Sequence, residues 1–196
     1  MARIVNLATL DELERLREEA APASRTVPEE DDVECGDAAE GVAPDYSKVL
    51  SSLQNRCVKR EYCSADMMKK ALKAFGGNRE LASKALESLV ADRFVDDARY
   101  AAAFAREKAS LTGWGPSKIR YALTLKGIGR VDADAALQEI DADASDRRMM
   151  KLLSAKWKVL REDPYGKFKL IKYGLSRGYD YSDVDRAVRS LCEEEI

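Results

Sequence analysis

Apolar residues recur along this chain at helical spacing, and the helices they predict recur in turn. Tyr100, Ala101, Phe104, Ala105 and Lys108 form an i, i+4 stripe behind Asp96, a natural N-cap. A second helix opens at Pro116, where a missing N–H costs nothing, carries Ile119, Leu123 and Lys126, and stops at Gly127. A third carries Ala133, Ala136, Leu137 and Ile140. The same grammar stands on either side at a step of 51 residues. Gly76, Gly127 and Gly178 align, as do Leu50, Ala101 and Leu152; Met68, Ile119 and Leu170; Ala85, Ala136 and Ala187; and Leu89, Ile140 and Leu191. Ser64 reads as the cap of the first repeat's second helix, Asp163-Pro164 as the opening of the last repeat's, and Asn78 and Ser182 as caps of the outer third helices. The recurring glycine reads as a helix stop.

This pattern predicts an all-α fold of three tandem three-helix repeats over 46–96, 97–147 and 148–196. Units of this size bury little apolar surface alone, so they stack into an elongated, curved rod with long exposed faces. Ahead of them, residues 1–45 hold three of the five prolines and the run Glu29-Glu30-Asp31-Asp32. They read as an acidic extension: a short helix over about 10–20, begun by the capping box Thr9-Leu10-Asp11-Glu12, then a flexible linker.

Charge sharpens this division. The whole chain of 196 residues has a net charge of −2. The leader has 4 Lys+Arg against 13 Asp+Glu, net −9, and the body has 29 against 22, net +7. The near-neutral total is therefore a cancellation. Such a tail either screens the basic body or merely solubilises it. Within the body the repeats carry +4, zero and +3, so positive charge concentrates on the outer two.

Candidate chemistry is sparse. The chain has no histidine, which removes Ser-His-Asp and Cys-His triads and histidine-ligated metal. Cys35, Cys57, Cys63 and Cys192 fit no common zinc spacing and read as reduced cysteines in a cytoplasmic protein. There is no P-loop and no dinucleotide fingerprint. No apolar run is long enough to span a bilayer, and Met1–Leu10 does not read as a secretory signal. Gly113-Trp114-Gly115-Pro116 reads as a tight connection into a helix, with a phosphate-gripping loop as the alternative. No enzyme, metal or cofactor is expected. Trp157, between Lys156 and Lys158, reads as an inter-helix packing residue, and Trp114 as a partner contact.

Several separated elements resemble one family. Asp97-Ala98-Arg99-Tyr100-Ala101, then Phe104, Gly113-Trp114-Gly115-Pro116-Ser117-Lys118-Ile119 and Lys126-Gly127-Ile128 are similar to the signature of the RecX regulatory proteins. That signature is roughly D-x-R-[FY]-A, an aromatic, G-x-G-P-x-[KR]-I, and a basic residue before Gly-[IV]. Leu89 to Val95, with Asp96 and Asp97, also looks like the family's end of its first unit. The resemblance covers about 46–192 and is strongest in the middle unit. It departs in the long acidic leader and at Tyr62-Cys63-Ser64-Ala65-Asp66, where many members are more basic.

The resemblance implies a non-enzymatic, all-helical protein that binds the RecA recombinase and its filament on single-stranded DNA. Such a protein lies in the filament groove and modulates, usually by inhibition, recombinase and co-protease activity in DNA repair and the SOS response. It implies a basic groove-facing surface drawn from Lys69, Lys70 and Lys73, then Arg99, Trp114, Lys118, Arg120 and Lys126, then Lys167, Lys169 and Lys172. Single-stranded DNA is a possible further partner, directly or through the filament. No membrane partner is expected, and the chain is expected to be a monomer. The competing reading is an autonomous helical DNA- or RNA-binding protein, since a tight turn before a third helix imitates helix-turn-helix geometry.

Overall fold

A computed structural model describes residues 45–193, and these form nine α-helices with no strand among them. The leader, with its expected helix over about 10–20 and its linker, lies outside the described residues. The first repeat comprises α1 (Tyr46–Lys59), α2 (Ser64–Ala74) and α3 (Arg79–Ala91). The second comprises α4 (Asp97–Glu107), a π-helical turn at Lys108–Thr112, α5 (Pro116–Leu125) and α6 (Arg130–Gln138). The third comprises α7 (Ala142–Leu160), α8 (Gly166–Ser176) and α9 (Tyr181–Glu193), so its first helix opens ahead of the boundary expected at 148.

Each repeat has its own core. Leu53, Met67, Ala71, Phe75, Ala82, Ala85, Leu89 and Val95 fill the first. Ala101 and Ala105 of α4, Ile119 and Leu123 of α5, and Ala133 and Ala136 of α6 fill the second. Met149, Leu153, Trp157, Leu170, Val184, Ala187 and Val188 fill the third. Full burial of each larger aliphatic side chain contributes about 1.5–3 kcal/mol. Trp157 is thus a core residue, as its sequence context implied.

The second helix of each repeat ends on the same backbone device. Gly77 N–H donates to Leu72 O (2.8 Å), Ile128 N–H to Leu123 O (3.0 Å) and Tyr179 N–H to Gly174 O (3.4 Å). In each case a left-handed glycine precedes the donor: Gly76, Gly127 or Gly178. These closures satisfy carbonyls that the helix end would leave open, and they keep the 51-residue register.

The side-chain register is less regular. In α2 it is Met67, not Met68, that is fully buried. In α7 the core takes Leu153 and Trp157, one residue beyond the period, because Leu152 turns instead onto Gly113 of the second repeat.

Three helix starts also differ from expectation. Ser64 is the first residue of α2 rather than its cap. α8 begins at Gly166, and Asp163 accepts from Tyr165 N–H ahead of it. Ser182 lies inside α9. Asp96 and Asn78 do cap, accepting from Arg99 N–H (2.9 Å) and Leu81 N–H (3.1 Å).

Candidate partner-binding surface

The basic residues picked from the sequence sort into two groups once the meetings between repeats are described. Where the first repeat meets the second, Cys63 and Ala65 insert into the second core, and Ala65 reaches the Gly127 turn. Ser64 N–H donates to Asp97 Oδ1 (2.7 Å), so the next repeat supplies the α2 cap. Lys126 Nζ donates to Asp66 Oδ2 at 2.7 Å. Partial burial alone would raise the Asp66 carboxyl, but the Lys126 hydrogen bond and charge outweigh it and hold it below the usual range. Arg99 Nε donates to Glu61 Oε1 (2.8 Å), and its Nη2 reaches the carbonyls of Arg93 (3.2 Å) and Phe94 (3.4 Å).

Where the second repeat meets the third, backbone meets backbone. Gly115 N–H donates to Arg177 O (2.8 Å) and Ser117 N–H to Gly178 O (3.1 Å). Lys118 Nζ donates to Ser176 O (3.2 Å), and Arg177 Nη1 donates to Thr112 O (3.2 Å). Desolvation first, and the Arg177 charge second, lower the Lys118 pKa. This geometry answers the phosphate-loop alternative. The amides of Gly115 and Ser117 that would grip an anion already donate to the neighbouring turn.

Three candidates therefore hold the repeats together: Arg99, Lys118 and Lys126. Trp114 is half-buried beside Phe104 (6.4 Å, edge-on), with the Lys118 and Lys108 ammonium groups over its ring at 4.9 and 5.7 Å. Arg120 donates to Asp134 (2.8 Å), which Arg130 also reaches (3.4 Å). The Arg120 hydrogen bond, foremost, lowers the Asp134 carboxyl.

The remaining six lie on two second helices. On α2, Lys69 stands 4.0 Å from Asp66, Lys70 lies over the Tyr62 ring at 5.4 Å, and Lys73 is exposed. On α8, Lys169 pairs with Asp163, while Lys167 and Lys172 are exposed and make no ion pair with a described residue. The structure thus leaves α2 and α8 as separate cationic faces.

Reading charge alone missed the exposed aromatic residues. Tyr121 stands at the position equivalent to Lys70 and Lys172, and Tyr165 and Phe168 project beside the α8 lysines. The signal was present in the helical period. With Gly166, Leu170 and Gly174 facing inward, Phe168, Lys172 and Leu175 must face outward at i, i+4 and i+7.

Among the described residues no three His, Cys, Asp or Glu side chains are grouped to hold a metal, and no helix is long and apolar enough to cross a membrane. The described cysteines Cys57, Cys63 and Cys192 are free thiols.

Known proteins agree with this architecture. Residues 96–137 match the family model described as RecX, second three-helix domain. A protein of Clostridium perfringens strain 13 named Regulatory protein RecX is 28% identical over 144 residues, 71% of this chain and 67% of that protein. One of the same name from Pseudomonas putida KT2440 is 29% identical over 129 residues, 65% of this chain and 81% of that protein. A solved structure titled Crystal structure of regulatory protein RecX superposes with a TM-score of 0.67 at 25% identity, over 74% of this chain and 71% of its own.

Proposed function

We propose that this chain, a member of the RecX family, is a non-enzymatic regulator that binds the RecA recombinase and its filament on single-stranded DNA. It acts in the cytoplasm and restrains recombinase and co-protease activity during DNA repair. The observation that carries this reading is the match of the second repeat, residues 96–137, to the RecX second three-helix domain. The fold supports it physically. Three small bundles joined end to end offer long helical faces and suit lying along a larger assembly. The cationic faces of α2 and α8 suit an anionic groove.

The test is assembly and disassembly of the cognate RecA filament on single-stranded DNA with this protein added well below one per RecA subunit. The expected result is slowed growth or net disassembly, with reduced ATP turnover. No effect at stoichiometric excess would overturn the proposal.

A further inference from the structure

The cationic faces of α2 and α8 differ in their aromatic content. On the first repeat, Tyr62 is buried, with the Arg60 guanidinium at 4.6 Å and the Lys70 ammonium at 5.4 Å over its ring. No large aromatic side chain is exposed among the described residues of that repeat, so α2 presents charge alone. On the third repeat, Tyr165 is 72% exposed and Phe168 69%. Tyr165 is the residue just ahead of α8, and Phe168 stands on the outward side of its first turn. Lys172 follows Phe168 at i+4, and Lys167 flanks the row. Two aromatic rings of this exposure at the start of a lysine-bearing helix leave apolar faces in water without gaining any packing inside the fold.

We propose that this ridge of α8 is a stacking platform for single-stranded nucleic acid. Tyr165 and Phe168 offer their faces to successive bases, and Lys167 and Lys172 meet the phosphates on either side. The chemistry selects a single strand over other anions. Aromatic rings stack only on bases whose faces are free, which a duplex does not offer. An acidic protein surface would satisfy the lysines and leave the rings in water. The site goes beyond the RecA reading and requires no recombinase.

The test is fluorescence anisotropy of the full chain with a labelled oligothymidylate of roughly 15 nucleotides and no RecA present, across a salt series. Tyr165→Ala combined with Phe168→Ala is expected to weaken binding about thirty-fold or more while leaving the slope of log affinity against log salt unchanged. Lys167→Ala combined with Lys172→Ala is expected to reduce that slope by about 0.7 per lysine. An abasic strand of equal length should bind the wild-type chain about as weakly as the thymidylate binds the aromatic variant. With 5-iodouracil in the strand, photocrosslinks should map to Tyr165 or Phe168. Unchanged affinity in the aromatic variant, equal binding of the abasic strand, crosslinks only elsewhere, or no binding at low salt would each overturn the platform. None of these results touches the filament assay, so the two proposals fail separately.

Discussion

At the first meeting of repeats, Ala65 approaches Gly127 across an ordinary van der Waals distance, and side chains supply most of the polar links: Asp66 with Lys126, Glu61 with Arg99, Asp97 on the Ser64 amide. At the second, the turn carrying Gly178 lies directly on the Gly115-Pro116-Ser117 backbone, and two main-chain hydrogen bonds link them beside the side-chain bonds of Lys118 and Arg177. Ser64 and Gly115 are equivalent by the repeat, as are Gly127 and Gly178. The same positions thus serve one junction tuned by charge and another fixed by shape. A charged contact weakens with salt and pH, whereas a backbone interlock responds to volume. The first repeat is therefore expected to be the one whose attachment solution conditions can loosen.

The comparison breaks most visibly at the glycines. A Cβ on Gly115 would lie 2.3 Å from Gly178 O, and one on Gly178 would lie 2.4 Å from the Lys118 Cβ at a backbone φ of +87°. Neither neighbour can swing aside. Gly178→Ala should cost roughly 3 kcal/mol or more, from the overpacking and the left-handed strain together. Gly127→Ala has φ +77° but meets only Ala65 Cβ at 3.4 Å, so it should cost about 1–2 kcal/mol. Gly76→Ala, with nothing within 4 Å, gives the conformational cost alone. Urea unfolding of the three variants checks the order. Equal losses at 127 and 178 would erase the distinction between the junctions.

The next effect is electrostatic. Lys126→Met removes the partner of a part-buried carboxylate. The Lys126 side chain is 38% exposed, so screening reduces the loss to about 1 kcal/mol. The wild-type urea midpoint should fall with added salt by more than that of the variant.

Acid acts on the same pair. The Asp66 carboxyl is lowered in the folded chain, so its contribution is complete above the ordinary aspartate value of about 4 and lost as pH falls through the depressed one. Hydrogen exchange at Ser64 to Met67 should therefore accelerate in acid before exchange at Ser117 does. The reverse order would show that charge does not hold the first junction.

How much of this was legible beforehand follows from which forces are local. Helix stripes, the Asp96 and Asn78 caps and the three glycine stops depend on neighbours in sequence, and the period exposed them. The role of Ser64 did not, because its amide is capped from Asp97, 33 residues on. Leu152 aligned as core by period and type, yet it packs on Gly113 across a junction. Arg99, Lys118 and Lys126 stood out as basic residues within a family signature. Nothing in a one-dimensional pattern separates a lysine that meets a partner from one that meets the next repeat. The glycines were read as helix stops, which they are; the second use of Gly178, letting one backbone lie on another, is a contact between distant segments.

The smallest expected effect sharpens the contrast at one residue. Ser117 Oγ stands 3.4 Å from Asp180 Oδ1, a long and exposed contact, while its N–H donates to Gly178 O at 3.1 Å. If the second junction is made by the main chain, Ser117→Ala should leave stability within about 0.5 kcal/mol, since only the side-chain contact goes. Ser117→Pro is the informative partner. Proline suits the first turn of a helix, but its Cδ takes the place of the N–H hydrogen and points at the Gly178 carbonyl, so the substitution both deletes the hydrogen bond and forces the two backbones apart. It should cost roughly 3 kcal/mol or more and open the Gly178 turn to hydrogen exchange. A larger loss in Ser117→Ala than in Ser117→Pro would transfer the joining role to the hydroxyl and make the two junctions alike.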